Sequence, residues 1–229
     1  MLRSNLTRLG LAGGLILLAA CSAADQVASP KLRKIQRPEG APSLDVIVNS
    51  IAPDSDAADF TVTPSGGTFV LGAHAVYFPA NSICDPAVSS YGPGEWDAPC
   101  SPLDQPIDIH AEVRRTADGQ SWLDFTPSLR FVPSDDPNQS VWVLMKLNSD
   151  ATEGNYRSFG IRWAPQFLVS EGQVDESLQD PSLRTYIDLQ RDVVFRRIKH
   201  FSGYVVGDGL SDAGGLATGT LDGIVDVVW

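Results

Sequence analysis

The chain has 229 residues, 43% of them hydrophobic, and carries 17 basic against 28 acidic side chains for a net charge of −11. That balance argues against nucleic-acid binding, which needs a basic face for the phosphates. Its 20 glycines and 16 prolines recur too often to leave room for long helices.

Arg3 and Arg8 precede an apolar run over 9–20 that closes with Leu18-Ala19-Ala20-Cys21. The run is too short to span a bilayer comfortably and has the length of a signal-peptide core. An ordinary secretory signal with an incidental Cys21 is one reading. Small residues followed directly by cysteine resemble instead the signal of bacterial lipoproteins. The resemblance implies removal of residues 1–20, a diacylglyceryl thioether on Cys21 and an acylated amine. Membrane lipid is then the first expected partner, at about 0.8 kcal/mol per buried methylene. Ser22 stands where enteric bacteria place Asp to retain a lipoprotein in the inner membrane, so the expected site is the outer membrane, facing the periplasm or the cell surface.

Without residues 1–20 the chain keeps 15 basic and 28 acidic residues, a net charge of −13. Lys31, Arg33, Lys34 and Arg37 cluster in a stretch, 21–42, with few large apolar side chains, which reads as a flexible linker. These four cations either lie on anionic headgroups or are simply solvated. The cysteine count supports export. Lipidation uses Cys21, and Cys84 and Cys100 remain to pair in an oxidising compartment. A two-cysteine metal site would need further ligands, and none lies nearby at a recognised spacing.

Residues 43–206 read as one all-β domain, a single antiparallel β-sandwich. Strands are expected over 44–48, 67–70, 75–78, 107–113, 121–125, 128–132, 141–147, 159–163, 183–189, 193–201 and 204–206. Ile107-Asp-Ile-His-Ala-Glu-Val113 alternates apolar and polar, so it has one wet face. Val141, Val143, Met145 and Leu147 line one face of the 141–147 segment and Trp142 and Leu144 the other, which marks a central strand. Between the paired cysteines, Gly92, Pro93, Gly94 and Pro99 forbid regular structure. Tyr91 and Trp96 in that loop are candidate binding anchors, unless Trp96 folds back to cap the end of the sandwich.

Gly66-Gly67-Thr68, then Val76-Tyr77-Phe78-Pro79-Ala80, then His200-Phe201-Ser202-Gly203-Tyr204-Val205-Val206 together resemble the ZU-five domain shared by ankyrins and netrin receptors. The resemblance covers about residues 60–206 and rests on these short motifs. Pro79-Ala80-Asn81-Ser82-Ile83 lacks the glycine usual there, and the cysteine-bounded loop looks like an insertion. The family implies a β-sandwich serving as a binding or scaffolding module. The expected partner is an envelope protein or glycan, and the chain is expected to be a monomer without cofactor or metal.

In some death-domain scaffolds related to that family, and in an unrelated nuclear-pore protein, a His-Phe-Ser segment cuts itself. The resemblance implies an alternative function here, in which Ser202 attacks the Phe201 carbonyl with His200 as base. The plainer alternative is that His200 and Tyr204 cap the sandwich and Ser202 bonds to backbone. No other enzymatic signature is present: there is no Gly-x-Ser-x-Gly elbow, phosphate loop or His-Glu-x-x-His pattern. A carbohydrate-active enzyme built on paired carboxylates is a third reading, without a residue to carry it. His74 and His110 read as structural, and Asp54, Asp56, Asp59, Asp135 and Asp136 as solvated turns. The tail, 207–229, is rich in Gly and Asp up to an apolar tip, Ile224-Val-Asp-Val-Val-Trp229, which either adds an edge strand, meets a partner or frays.

Overall fold

The computed structural model describes residues 37–46, 55–116, 119–147, 159–167, 172–189, 191–208 and 224–226. All lie in one compact unit, Leu32–Trp229. Cys21, Lys31, Arg33, Lys34 and Asp54 lie outside the described residues.

The fold is all-β. Its strands are β1 (Ser55–Val62), β2 (Gly67–Leu71), β3 (His74–Phe78), β4 (Ile107–Arg115), β5 (Ser121–Thr126), β6 (Val141–Lys146), β7 (Phe159–Trp163), β8 (Thr185–Asp188), β9 (Val193–Ile198), β10 (Tyr204–Asp208) and β11 (Ile224–Asp226). They form one sheet in the order β1-β4-β5-β10-β7 and a second in the order β11-β8-β9-β6-β3-β2. The strand pairs are antiparallel except β11 with β8, which is parallel. Among the described residues the helical segments are single 3-10 turns.

Strand alternation builds the core. On β4, Ile109, Ala111 and Val113 are buried while Asp108, His110 and Glu112 face outward. Val141, Val143 and Met145 of β6 meet them across the sandwich in one cluster with Leu123, Phe125 and Val194. Trp142 and Leu144 point the other way, into a second cluster with Ala41, Leu44, Ala75, Val193 and Phe195. Burial on both faces makes β6 the central strand that its unbroken apolar run foretells. The segment 37–46 supplies the outer cover. Gly40 permits the close approach, because its φ is +77° and a Cβ there would stand 2.2 Å from the Pro137 carbonyl oxygen. The packed body therefore takes in Ala41, two residues before the expected domain start.

Four expected strands change. Leu44–Val46 is a 3-10 turn rather than a strand. The 128–132 segment makes only isolated bridges, Phe131 to Ile83 and Arg130 to His200. The 183–189 strand shortens to β8, behind the 3-10 turn Pro181–Leu183, and 193–201 stops at Ile198. β1 is an addition. Asp56 and Asp59 lie on it rather than in a turn, and Asp59 pairs across the ladder with His110. The tail's apolar tip adds an edge strand, β11.

His74 is fully buried, and its Nδ1 accepts from the Lys146 amide at 3.1 Å. Burial first, then the nearby Arg115, lowers its pKa to about 3. The folded chain therefore prefers neutral His74, and its contribution is complete above the unfolded value near 6.5. It declines as pH falls from there toward the folded value, by up to about 1.4 kcal/mol per pH unit. Unfolding free energies measured between about pH 6.5 and pH 5, where most carboxylates stay ionised, should fall for the wild type. The His74→Gln chain should be flatter over the same interval, and parallel curves would refute the assignment. His110 shifts oppositely, raised first by the hydrogen bond it donates to the Asp59 carboxylate, but is too exposed to set this slope.

Candidate functional site

The His-Phe-Ser segment turns from β9 toward β10 at one end of the sandwich. Phe201 anchors the turn. Its amide donates to the Leu129 carbonyl at 2.6 Å, and its buried ring stacks on Phe125 at 4.1 Å and meets Phe78 and Phe131 edge-on. Gly203 follows because backbone crowds it: a Cβ would stand 2.0 Å from the Ala164 carbonyl oxygen.

His200 is fully buried, and its Nε2 lies 2.8 Å from Glu176 Oε1. Arg196 Nη2 donates to Glu176 Oε2 at 3.0 Å, and Arg196 Nη1 donates to the Ile161 carbonyl at 2.7 Å. Burial tends to raise the Glu176 carboxyl, but the His200 hydrogen bond and the Arg196 charge outweigh it and hold the group below its ordinary value. An ionised Glu176 only accepts, so His200 carries its proton on Nε2. The lone pair of neutral His200 is thereby left on Nδ1, 3.4 Å from Ser202 Oγ. Ser202 Oγ also accepts from Trp163 Nε1 at 2.5 Å, and Tyr204 OH donates to the His200 carbonyl at 2.7 Å. Burial first, then the Glu176 charge, pushes Tyr204 well above its ordinary pKa, so it stays a donor.

The Cys84–Cys100 disulfide is formed, with 5.6 Å between the Cα atoms. Its loop closes over the His200 turn. Trp96 is only 9% exposed and stacks on the imidazole at 4.0 Å, so it folds back as a cap and is unavailable as an exposed anchor. The cause is local: a flat apolar face is already presented by the buried His200 ring. Tyr91 stays 41% exposed, yet its hydroxyl donates to the Phe201 carbonyl. Buried Arg130 clamps the loop from below through the Ser90 and Glu95 carbonyls, at 3.1 and 2.8 Å, and through that of Ala98. Lys199 ties it to the body, 2.5 Å from Asp97 and 2.8 Å from Asp180.

Beside this turn runs an open groove of about 370 Å³. Phe131, Leu183 and Ile198 contribute apolar surface to it, while Trp96 and Asp97 of the loop, Asp180 and Lys199 also line it.

His200 and Ser202 were legible as a motif, but Glu176 was not. It sits in a 3-10 turn whose Asp175-Glu176-Ser177 sequence reads as a solvated bend. Arg196 did leave a signal. It shares strand parity with buried Val194 and Ile198, so a charge at that position has to be paired inside. Asp136 caps the 3-10 turn Pro137–Gln139 by accepting from the Asn138 amide at 2.9 Å. Among the described residues no group of three His, Cys, Asp or Glu is placed to hold a metal ion, and no helix is long and apolar enough to cross a membrane. The chain matches no protein-family model, no curated protein and no solved structure.

Proposed function

We propose that this chain is a lipoprotein of the bacterial envelope, held by lipid on Cys21, most simply in the outer membrane, with a ZU-five-like β-sandwich that acts as a non-catalytic binding or scaffolding module. The observation that carries the module reading is the groove beside the His200 turn. It combines an apolar lining with paired charges, as sites for a protein segment or a glycan do. Catalysis on an outside substrate is disfavoured by the same region. His200 is fully buried beneath Trp96, which closes its imidazole to a substrate arriving from solvent.

Site-specific photocrosslinking in the native cell tests this. A crosslinker at exposed Asp135, on the groove, should give a discrete adduct with one envelope component. The same group at exposed Thr61, on the outer face of the other sheet, should not. Equal yields from the two positions would contradict the module reading.

A second reading is favoured by one contact. Tyr91 OH donates to the carbonyl that Ser202 would attack, while His200, oriented by Glu176, offers its lone pair to Ser202. A single self-cut at Phe201–Ser202 is compatible with a binding module. The new end lies just before β10, which stays hydrogen-bonded between β5 and β7.

A further inference from the structure

We propose that Tyr91 is the oxyanion donor for cutting at Phe201–Ser202, and that the chain nicks itself only after the Cys84–Cys100 disulfide has closed. This rests on the self-cutting reading above and adds to it a group from outside the His-Phe-Ser motif, with the condition under which it acts.

The geometry begins with the carbonyl. Phe201 is held from both sides: its amide is bound to Leu129 and its ring is locked among Phe125, Phe78 and Phe131. Its carbonyl oxygen accepts from Tyr91 OH. Burial first raises the Tyr91 pKa, so the phenol stays protonated and remains a donor near neutral pH. A fixed donor on an oxygen that gains negative charge stabilises the transition state more than the ground state.

The step balances with water as the only co-reactant. Ser202 Oγ gives its proton to His200 Nδ1 and bonds to the Phe201 carbonyl carbon. The π pair moves to the oxygen that Tyr91 holds. Collapse breaks the Phe201–Ser202 C–N bond, and the departing Ser202 nitrogen takes the proton back from His200. Phe201 is now an ester on Ser202 Oγ. Water then hydrolyses that ester, leaving a carboxylate on Phe201 and a free amine and hydroxyl on Ser202. Glu176 acts as a positioning residue, because it fixes the proton on Nε2 and so frees Nδ1.

The dependence on the disulfide follows from where Tyr91 sits. The Cys84–Cys100 segment carries no regular strand, and Tyr91 and Trp96 reach the turn only from within the closed loop. Closing the bond removes loop-closure entropy that the open chain would otherwise have to lose on docking. An exported chain meets oxidising conditions only after translocation, so cutting would be confined to the envelope.

The test is cell-free synthesis of the full chain in oxidising and in reducing buffer, sampled over time by denaturing intact-mass spectrometry. The wild type should release a fragment of residues 202–229 in oxidising buffer, and Ser202→Ala should release none. Tyr91→Phe, which keeps the ring against Trp96, should cut at least about 10²-fold more slowly. Its near-ultraviolet circular dichroism should match the wild type, a readout that a merely structural loss would move. Reducing buffer, and the Cys84→Ser, Cys100→Ser chain, should yield no fragment over the time in which the oxidised wild type cuts. A wild type that cuts while Tyr91→Phe keeps pace overturns the role of Tyr91 and leaves the self-cutting reading standing. Equal rates in both buffers overturn the disulfide dependence. No fragment from the wild type in either buffer overturns both proposals.

Discussion

Glu176→Ala is expected to destabilise the folded chain by about 3–5 kcal/mol, the range for breaking a buried ion pair on one side. Glu176 is the only carboxylate within 4 Å of Arg196 among the described residues, and Arg196 has no exposed surface. Removing the carboxylate leaves a guanidinium that keeps only the Ile161 and Arg197 carbonyls. It also orphans the His200 Nε2 proton. Glu176→Gln should cost less, because an amide oxygen still accepts from one of the two. A single domain is typically stable by about 5–15 kcal/mol, so the alanine chain should sit near the threshold of folding. Urea unfolding checks it, and a loss below about 1 kcal/mol would mean that the network does not hold the turn. The pH dependence has a definite sign. Glu176 titrates lower in the folded chain than unfolded, so its stabilisation is present above the ordinary carboxylate value and is lost as pH falls through the folded one.

The disulfide gives the second large effect. Replacing Cys84 and Cys100 by serine should cost roughly 3 kcal/mol in the chain-entropy description for a loop of this size. The loss should be accompanied by a local change. Trp96 is held against His200 by a loop that has no ladder hydrogen bonds of its own, apart from one isolated bridge between Cys84 and Pro102 at its base. Without the bond, Trp96 fluorescence should shift to the red as the ring gains water, while the ladders around β6 keep their exchange protection. An unchanged spectrum would mean that the three carbonyl bonds of Arg130 suffice to hold the loop.

Much of the fold was legible because its strands alternate. Ile109, Ala111 and Val113 fix β4, and the doubly apolar run of β6 correctly marks a strand covered on both faces. β1 was not legible, because Ser-Asp-Ala-Ala-Asp has the composition of a turn. Its strand character comes from a complete eight-residue ladder with β4, which no local propensity reports. The 128–132 segment failed in the opposite sense. It is apolar enough for a strand, yet Leu129 and Phe131 serve the turn at Phe201 and Arg130 serves the loop. The site divides in the same way. A tripeptide motif exposes His200 and Ser202, and the parity of β9 exposes Arg196. Glu176 and the clamp by Arg130 arise only when segments far apart in the chain are brought together, and one sequence carries no trace of that. Trp96 could be read as an anchor or as a cap until the buried imidazole beneath it was known.

Intact-mass spectrometry of the protein purified from native membranes decides whether lipid on Cys21 holds the proposed binding module at the envelope. The expected chain begins at Cys21, carries a diacylglyceryl thioether and an acylated amine, and is two hydrogens lighter for the Cys84–Cys100 bond. A chain that retains residues 1–20, or one that begins elsewhere with an unmodified Cys21, would contradict it.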